Sequence, residues 1–286
     1  MDVPGAADGT AVSAADLGLK GPRGWAFRGV GLDAEPGSLI AVEGPSGSGR
    51  TCLLLTLTGR MKPTEGRATV GGHRLPREMA AVRRTSALAH VPGVTDLDPA
   101  LTVGEHLRER ALLHSRFGAP LRALLRPGAE KSAEAGERIE AALAAAGLDC
   151  DALPKGSRTA VRDLERLEAL RLSVALALIV RPRLLAVDDT DLKLSAAEWA
   201  AVWGLLKSIA ESGTTVLAVC AEAPEGAVVV STARGGDRPD GGGEGPRDAV
   251  PGEQGVQPEG TPDEPSEDGA DDEKETADAL AETGRA

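Results

Sequence analysis

Residues 38–59 join two apolar runs through a glycine-rich loop, and this succession limits the folds open to the chain. The first run, SLIAVE, ends immediately before Gly44, as a short buried strand does. The second run, TCLLLTLTG, begins at Thr51 and ends in glycine, which is typical of a helix with a C-terminal glycine stop. Strands and helices that alternate in this way predict an α/β fold.

The loop itself, GPSGSGRT at residues 44–51, follows the phosphate-binding pattern G-x-x-x-x-G-K-[ST] at every defined position except Arg50. Its glycines allow successive backbone N–H groups to converge on phosphate oxygens, and the following helix adds its positive N-terminal dipole. Thr51 would offer a hydroxyl to Mg²⁺. The alternative is a tight turn of small residues with no ligand.

Arg50 stands where the pattern has lysine. It keeps the positive charge, but a planar guanidinium is larger than the compact ammonium group of lysine. We therefore expect Arg50 to weaken nucleotide binding or to misplace the γ-phosphate while still attracting anions.

A third apolar run, at Leu184–Val187 within RPRLLAVDD, ends in two acidic residues. Asp188 is predicted to hold Mg²⁺ through water, and Asp189 stands where a general base could act. The alternative is a strand that passes into a loop with two solvated carboxylates.

The net charge of −12 belongs to the C-terminal segment. Residues 235–286 contain 16 Asp or Glu against 4 Lys or Arg, which leaves 28 of each sign in residues 1–234. The segment is rich in Gly and Pro and is predicted to be disordered. It is interpreted as a solvating tail, with a docking or regulatory arm as the alternative. No basic patch indicates nucleic-acid binding.

Three scattered cysteines predict neither a disulfide framework nor a metal site, which suits a reducing compartment. The N-terminus lacks the pattern of a signal peptide. The most apolar run, residues 172–180, is about half the length of a membrane span. A cytoplasmic location is therefore expected.

The order of segments resembles the ATP-binding subunit of ATP-binding cassette (ABC) transporters from about residue 13 to residue 231. The resemblance is carried by GPSGSGRT, LLLTLTGRMKPTEGRATVGG, LDPALTVGEHL, ALALIVRPRLLAVDD and GTTVLAV. It implies a P-loop NTPase fold, with a RecA-like core, an antiparallel β subdomain and a helical subdomain at about residues 95–165. The expected organisation is a flexible N-terminus (1–12), an ATP-binding domain (13–233) and the acidic tail (234–286).

Several positions depart from the family pattern. The family's Mg²⁺-sensing glutamine falls at Gly93, and its switch histidine falls at Ala221. The LSGGQ signature, which closes on the γ-phosphate held by a partner subunit, aligns with residues 164–168, LERLE, and keeps only the leucine. Asp189 replaces the glutamate that polarises the attacking water and is one methylene shorter. Trp25 is a candidate for the aromatic residue that stacks on adenine, although its register is shifted.

The resemblance implies ATP and Mg²⁺ as ligands, and the candidate residues fall into three groups. Nucleotide binding is assigned to Gly44, Ser46, Gly47, Ser48, Gly49, Arg50, Thr51, Cys52 and Trp25. The metal is assigned to Thr51 and Asp188, and catalysis to Asp189.

The implied function is that of an ATP-binding subunit with weak or partner-assisted hydrolysis. It would dimerise with itself or a related subunit and serve a separate membrane protein at the inner face of the membrane. The alternatives are a nucleotide-binding regulatory module without turnover and a pseudo-ATPase scaffold.

Overall fold

The computed structural model describes residues 9–117, 128–190 and 194–232. In chain order its elements are β1 (Val12–Gly21), β2 (Gly24–Ala34), β3 (Leu39–Glu43), α1 (Arg50–Leu57), β4 (Glu65–Val70), β5 (His73–Leu75), α2 (Met79–Thr85), β6 (Ser86–Ala89), α3 (Val103–Phe117), α4 (Gly128–Ala146), α5 (Arg166–Leu178), β7 (Leu184–Val187), α6 (Ala196–Glu211), β8 (Thr215–Val219) and β9 (Val228–Ser231). The acidic tail predicted at residues 234–286 lies outside the described residues.

The strands form two sheets of different kinds. One sheet is antiparallel, with the order β2-β1-β4-β5, and Val12 of β1 lies opposite both Ala34 and Val70. The other has five parallel strands in the order β6-β7-β8-β3-β9. The α/β class predicted from the alternating runs is confirmed.

The parallel sheet is buried on both faces, and the two-residue period of its strands divides its side chains between two cores. Ile40 and Val42 of β3 pack with α1 and the antiparallel sheet. Ala41, between them, packs on the opposite face with residues of α5 and α6, including Trp203. Helix α1 is therefore held between the two sheets, which fixes the direction of the loop that precedes it.

A third core joins helices α3, α4 and α5. Its buried members include Val103, Leu107, Ala142 and Leu172. Leu172 is fully buried in this core, whereas Val174, two residues further along α5, belongs to the core beneath the parallel sheet. Helix α5 therefore packs on two of its sides. Helix α5 thus links the helical part to the sheet that carries the candidate site.

The described chain begins at Gly9, inside residues 1–12, the stretch predicted to be a flexible N-terminus. Thr10 is buried, its amide donates to Thr215 Oγ1 over 2.9 Å, and Thr215 Oγ1 donates back to the Thr10 carbonyl over 2.8 Å. This reciprocal pair, 205 residues apart in the chain, fixes the backbone two residues before β1 begins. Local sequence carried no sign of it because the partner lies in β8.

Candidate nucleotide site

The candidate residues gather at the C-terminal edge of the parallel sheet. The glycine-rich loop follows β3, Asp188 follows β7 and Cys220 follows β8, and these three strands are neighbours in the order β7-β8-β3. Ligand crevices of parallel α/β sheets lie outside the carboxyl ends of their strands. The strand order therefore brings together segments that are more than one hundred residues apart.

The loop turns into α1 at Gly49, where the backbone requires glycine. Gly49 has φ 87°, and a Cβ placed on it would collide with the carbonyl oxygen of Ala26 in β2. Helix α1 has neither a side-chain cap nor an acidic residue in its first turn. Because no side chain competes for its first amides, this N-terminus is suited to an anion.

A chain of hydroxyl groups ties the loop to the outermost strand of the sheet. The hydroxyl of Thr232 donates to the carbonyl of Glu43 over 3.1 Å and lies 2.6 Å from Ser48 Oγ. Since the single proton of Thr232 is used on Glu43, Ser48 is the donor of the shorter bond. Gly44 has no room for a side chain, because a Cβ would meet both hydroxyls. The loop is thus braced at its beginning, while Ser46 and Gly47 are exposed.

Thr51 and Asp188 are in direct contact. The Thr51 hydroxyl donates to Asp188 Oδ2 over 2.6 Å, and Asp188 is buried, with only 4% of its surface exposed. A hydroxyl and a carboxylate are oxygen donors of the kind that Mg²⁺ takes in proteins, so the chemistry of this pair would suit a magnesium ion. Within the described ranges, no cluster of three or more His, Cys, Asp or Glu side chains offers a metal site made from protein alone.

Asp189 lies next to this pair in a left-handed conformation, with φ 56°. Its amide donates to Asp188 Oδ1 over 2.9 Å, so both oxygens of Asp188 are held. Aspartate tolerates this region of φ better than most residues. The turn points the chain away from β7 directly after Asp188, and Asp189 itself is half-buried.

Arg50 is bonded to the protein rather than free above the loop. Its Nη1 donates to the carbonyl oxygen of Cys220 over 2.7 Å. Cys220 follows β8 and is itself fixed by a 3.1 Å bond from its amide to the Val42 carbonyl. The guanidinium is thus anchored between α1 and the end of β8. The sequence did not predict this acceptor, because every residue has a backbone carbonyl and residue types do not show which one will accept a hydrogen bond.

The segment after β8 has a further anchor that the sequence did not reveal. The carboxylate of Glu43, the last residue of β3, accepts a short hydrogen bond from the Ala223 amide. This contact, across 180 residues, fixes the chain just after Ala221, the position of the family's switch histidine. Ala221 offers no side-chain donor there.

Trp25 and Cys52 lie in different elements, β2 and α1. Trp25 lies in β2 next to Ala26, the residue that contacts Gly49, and the Arg28 guanidinium carbon is 4.6 Å from its ring centroid. The Lys20 ammonium also lies over this ring, 5.6 Å from its centroid, so an adenine stacked on Trp25 would compete with two cations. Cys52 is half-buried in α1, and burial together with the negative charge of Asp188 raises the pKa of its thiol.

The positions that depart from the family pattern also have defined structures. The amide of Gly93 donates to Asp96 Oδ2 over 2.9 Å in an exposed turn. The stretch aligned with the signature, residues 164–168, runs into the first turn of α5, where Glu165 and Glu168 form a reciprocal capping box. The Glu165 amide donates to Glu168 Oε2 over 2.8 Å. Two carboxylates therefore occupy the end of α5 that would otherwise attract an anion.

A strand, a glycine-rich loop and a helix, with a buried aspartate from the neighbouring strand at the loop's threonine, define a P-loop NTPase. Residues 27–191 match the family model described as ABC transporter. The chain belongs to that family.

Curated relatives agree with this assignment. The cytochrome c biogenesis ATP-binding export protein CcmA of Bordetella parapertussis is 33% identical over 203 residues, which cover 70% of this chain and 80% of that protein. The Nod factor export ATP-binding protein I of Cupriavidus metallidurans is 31% identical over 186 residues, 65% of this chain and 54% of that protein. The chain thus spans only about half the length of some curated relatives that it matches.

Solved structures show the same fold. The dimeric post-hydrolysis state of the ATP-binding cassette MJ0796, bound to ADP and Pi, superposes with a TM-score of 0.55 at 22% identity, covering 74% of this chain and 88% of that one. CbiO1 from Clostridium perfringens gives a TM-score of 0.58 at 17% identity, covering 74% and 78%. In the part of this chain that the structure describes, no helix is both long and apolar enough to cross a membrane.

Proposed function

We propose that this chain binds MgATP at the loop of residues 44–51 and acts as the ATP-binding subunit of an ABC-type transport complex. The observation that carries the proposal is the 2.6 Å contact between Thr51 and Asp188 beside an uncapped helix N-terminus. A scaffold without a ligand gains nothing from placing a buried carboxylate against the hydroxyl of a glycine-rich loop. Burying such a group carries a desolvation cost that bound Mg²⁺ would offset.

The phosphates would be held mainly by backbone. The exposed loop around Ser46 and Gly47 presents its amides to phosphate oxygens, and the start of α1 adds its dipole. Mg²⁺, held by Thr51 and Asp188, would supply charge neutralisation at the phosphate oxygens. Trp25 is proposed to flank the base, in competition with the Arg28 and Lys20 side chains that lie over its ring.

Arg50 would contribute less than a lysine does. One of its terminal nitrogens is engaged by the Cys220 carbonyl, so a second N–H of the same planar group must make any contact with phosphate. Binding is therefore proposed to be weaker than in a loop with lysine.

Hydrolysis is proposed to be slow. Asp189 would have to accept the proton of the attacking water, with a side chain one methylene shorter than the family's glutamate and in a left-handed backbone conformation. Ala221 provides no imidazole, and Gly93 provides no amide side chain. Because phosphoryl transfer depends on positioning and electrostatics, each missing group lowers the rate.

The capping box of α5 favours one second candidate, a nucleotide-binding module without turnover. In a sandwich of two cassettes, Glu165 and Glu168 would face the γ-phosphate of the partner subunit with negative charge. A site shared between two copies of this chain would then bind the γ-phosphate poorly. A partner chain with the family signature could instead complete the site that contains residues 44–51.

A mixed dimer at the cytoplasmic face, joined to a separate membrane protein, is the proposed working assembly. The CcmA relative is named as an export protein, which supports transport.

Calorimetric titration of the full chain with ATP, with and without Mg²⁺, tests the proposal. Saturable binding that is stronger with Mg²⁺ is expected. No heat at millimolar ATP would overturn nucleotide binding by this chain alone and leave the scaffold function. Affinity purification from membranes should recover a polytopic protein, and its consistent absence would contradict the transport assignment.

A further inference from the structure

The indole ring of Trp25 has two cationic partners within the antiparallel sheet. The Arg28 guanidinium carbon lies 4.6 Å from the ring centroid and the Lys20 ammonium lies 5.6 Å from it, which are distances at which a cation is attracted to an aromatic ring. Lys20 of β1 is the register partner of Trp25, so the two side chains are cross-strand neighbours. The residue after Trp25, Ala26, has its carbonyl against Gly49 of the nucleotide loop.

An ion pair across the sheet holds Arg28 in place. Arg28 Nε donates to Glu65 Oε2 over 3.1 Å. Arg28 lies in β2 and Glu65 lies in β4, and β1 runs between these two strands. The ion pair therefore spans β1.

Glycine at position 18 of β1 leaves room for this arrangement. A Cβ placed on Gly18 would lie 3.2 Å from Trp25 Cζ3, 3.5 Å from Glu65 Cβ and 3.6 Å from Arg28 Cα. The ring, the guanidinium and the carboxylate are thus assembled around one glycine. Trp25 is held by the sheet itself, before any ligand is considered.

A base that stacks on Trp25 would have to displace contacts of similar strength. A base stacked on an aromatic side chain and a cation over the same ring stabilise by comparable amounts. Moving Arg28 aside also weakens its pair with Glu65. The phosphates meet amides at the start of α1, which has no side-chain cap to displace. The phosphates therefore supply most of the affinity, and the base adds little.

We propose that Arg28 and Lys20 are specificity-determining residues: they keep the Trp25 ring from the base, so the site takes nucleoside triphosphates through their phosphates with little preference among bases. Glu65 acts indirectly, by holding Arg28. The inference rests on the proposed nucleotide binding at residues 44–51 and names the substrate class of that site.

Titration calorimetry of the full chain with Mg²⁺ and, in turn, ATP, CTP and tripolyphosphate separates the base from the phosphates. ATP and CTP are expected to bind within about threefold of each other. An affinity for ATP more than about tenfold above that for CTP would overturn this inference and leave the proposed nucleotide site standing. If none of the three ligands binds, the proposed function fails and the inference fails with it.

The variant Arg28→Gln removes the nearer cation from the ring. The ratio of ATP to CTP affinity is expected to rise about fivefold, because the larger purine covers more of the freed ring. Glu65→Gln removes only the anchor of Arg28 and should raise the ratio by less, as should Lys20→Gln. Arg67→Gln, at an exposed position of β4, removes a charge from the same sheet and should leave the ratio unchanged.

A second substitution shows whether the gain passes through the ring. Trp25→Ala added to Arg28→Gln is expected to remove the gain, as a double-mutant cycle requires of coupled residues. Thermal unfolding of each variant checks that the fold is kept. A ratio that is unchanged in both R28Q and E65Q, or a gain in R28Q that survives Trp25→Ala, would overturn the proposal.

Discussion

The hydroxyl of Thr51 and the carboxylate of Asp188 lie 2.6 Å apart, although 137 residues separate them in the chain. The contact joins the first turn of α1 to the end of β7 across the neighbouring strands of the sheet. Protein contacts hold both side chains, because Asp188 also accepts the amide of Asp189. The proposed metal site is therefore preorganised.

Asp188→Asn should remove the Mg²⁺-dependent part of ATP affinity. An amide oxygen can still accept the Thr51 hydroxyl, so the fold should persist, while the negative charge that attracts Mg²⁺ is lost. Titration calorimetry should give an affinity for ATP with Mg²⁺ that falls roughly tenfold or more, about 1.4 kcal/mol or more. Asp33→Asn, at an exposed position of β2, is the control. A D188N chain that still responds to Mg²⁺ would refute the assignment.

Arg50→Lys should strengthen ATP binding by roughly tenfold, since a compact ammonium fits beneath the phosphates and makes a charge-assisted bond there. The same change removes the bond to the Cys220 carbonyl, so the free energy of unfolding without nucleotide should fall by about 1 kcal/mol. Calorimetry and chemical denaturation measure the two effects, with Arg67→Lys as control. Unchanged affinity would show that Arg50 already serves the phosphates well.

Turnover should be slow and should depend on Asp189. Phosphate release under saturating MgATP is expected to rise roughly tenfold in Asp189→Glu, because the longer side chain reaches the water, and to disappear in Asp189→Asn. Brisk turnover by the unmodified chain, or a rate that is unaffected by D189N, would be incompatible with the proposed chemistry.

Cys52 should report on the site through its alkylation rate. Burial and then Asp188 raise the pKa of its thiol above the ordinary value of 9.0, so less thiolate is present at pH 8 than in an exposed thiol, and the rate should keep rising above pH 9. MgATP should slow the reaction at Cys52 but not at Cys150. Cys150 also has a raised pKa, from burial and its acidic neighbours, but packs with the helical core. Mass spectrometry of iodoacetamide-treated chain measures both sites, and equal protection by MgATP would place the ligand elsewhere.

A chain ending at Arg234 should bind MgATP as the full chain does, within about twofold by calorimetry. The nucleotide loop lies at the C-terminal edge of the parallel sheet, and residues 235–286 are interpreted as a solvating tail that contributes nothing to it. A large loss of affinity on truncation would mean that residues 235–286 act on the loop itself.

Much of the local structure followed from the sequence. The apolar runs at residues 38–43 and 184–187 predicted strands, and the structure has them at Leu39–Glu43 and Leu184–Val187. The helix expected from Thr51 begins at Arg50. The apolar character of a run and its hydrophobic period are local properties of the sequence, so they can be recognised from neighbouring residues. The assignment of ligands to Thr51 and Asp188 was likewise made from pattern, and it stays a prediction although the two side chains meet.

Tertiary structure alone decided how the loop is held. Arg50 meets a carbonyl 170 residues away, Ser48 meets Thr232 across 184 residues, and Glu43 meets Ala223 across 180. All three contacts exist because β3 lies between β8 and β9, an order that no single stretch of sequence specifies. The sequence by itself determined which residues are buried and where a phosphate loop could form. The strand order determined what its charged and hydroxyl groups touch, because hydrogen bonds join whichever partners packing brings within about 3 Å.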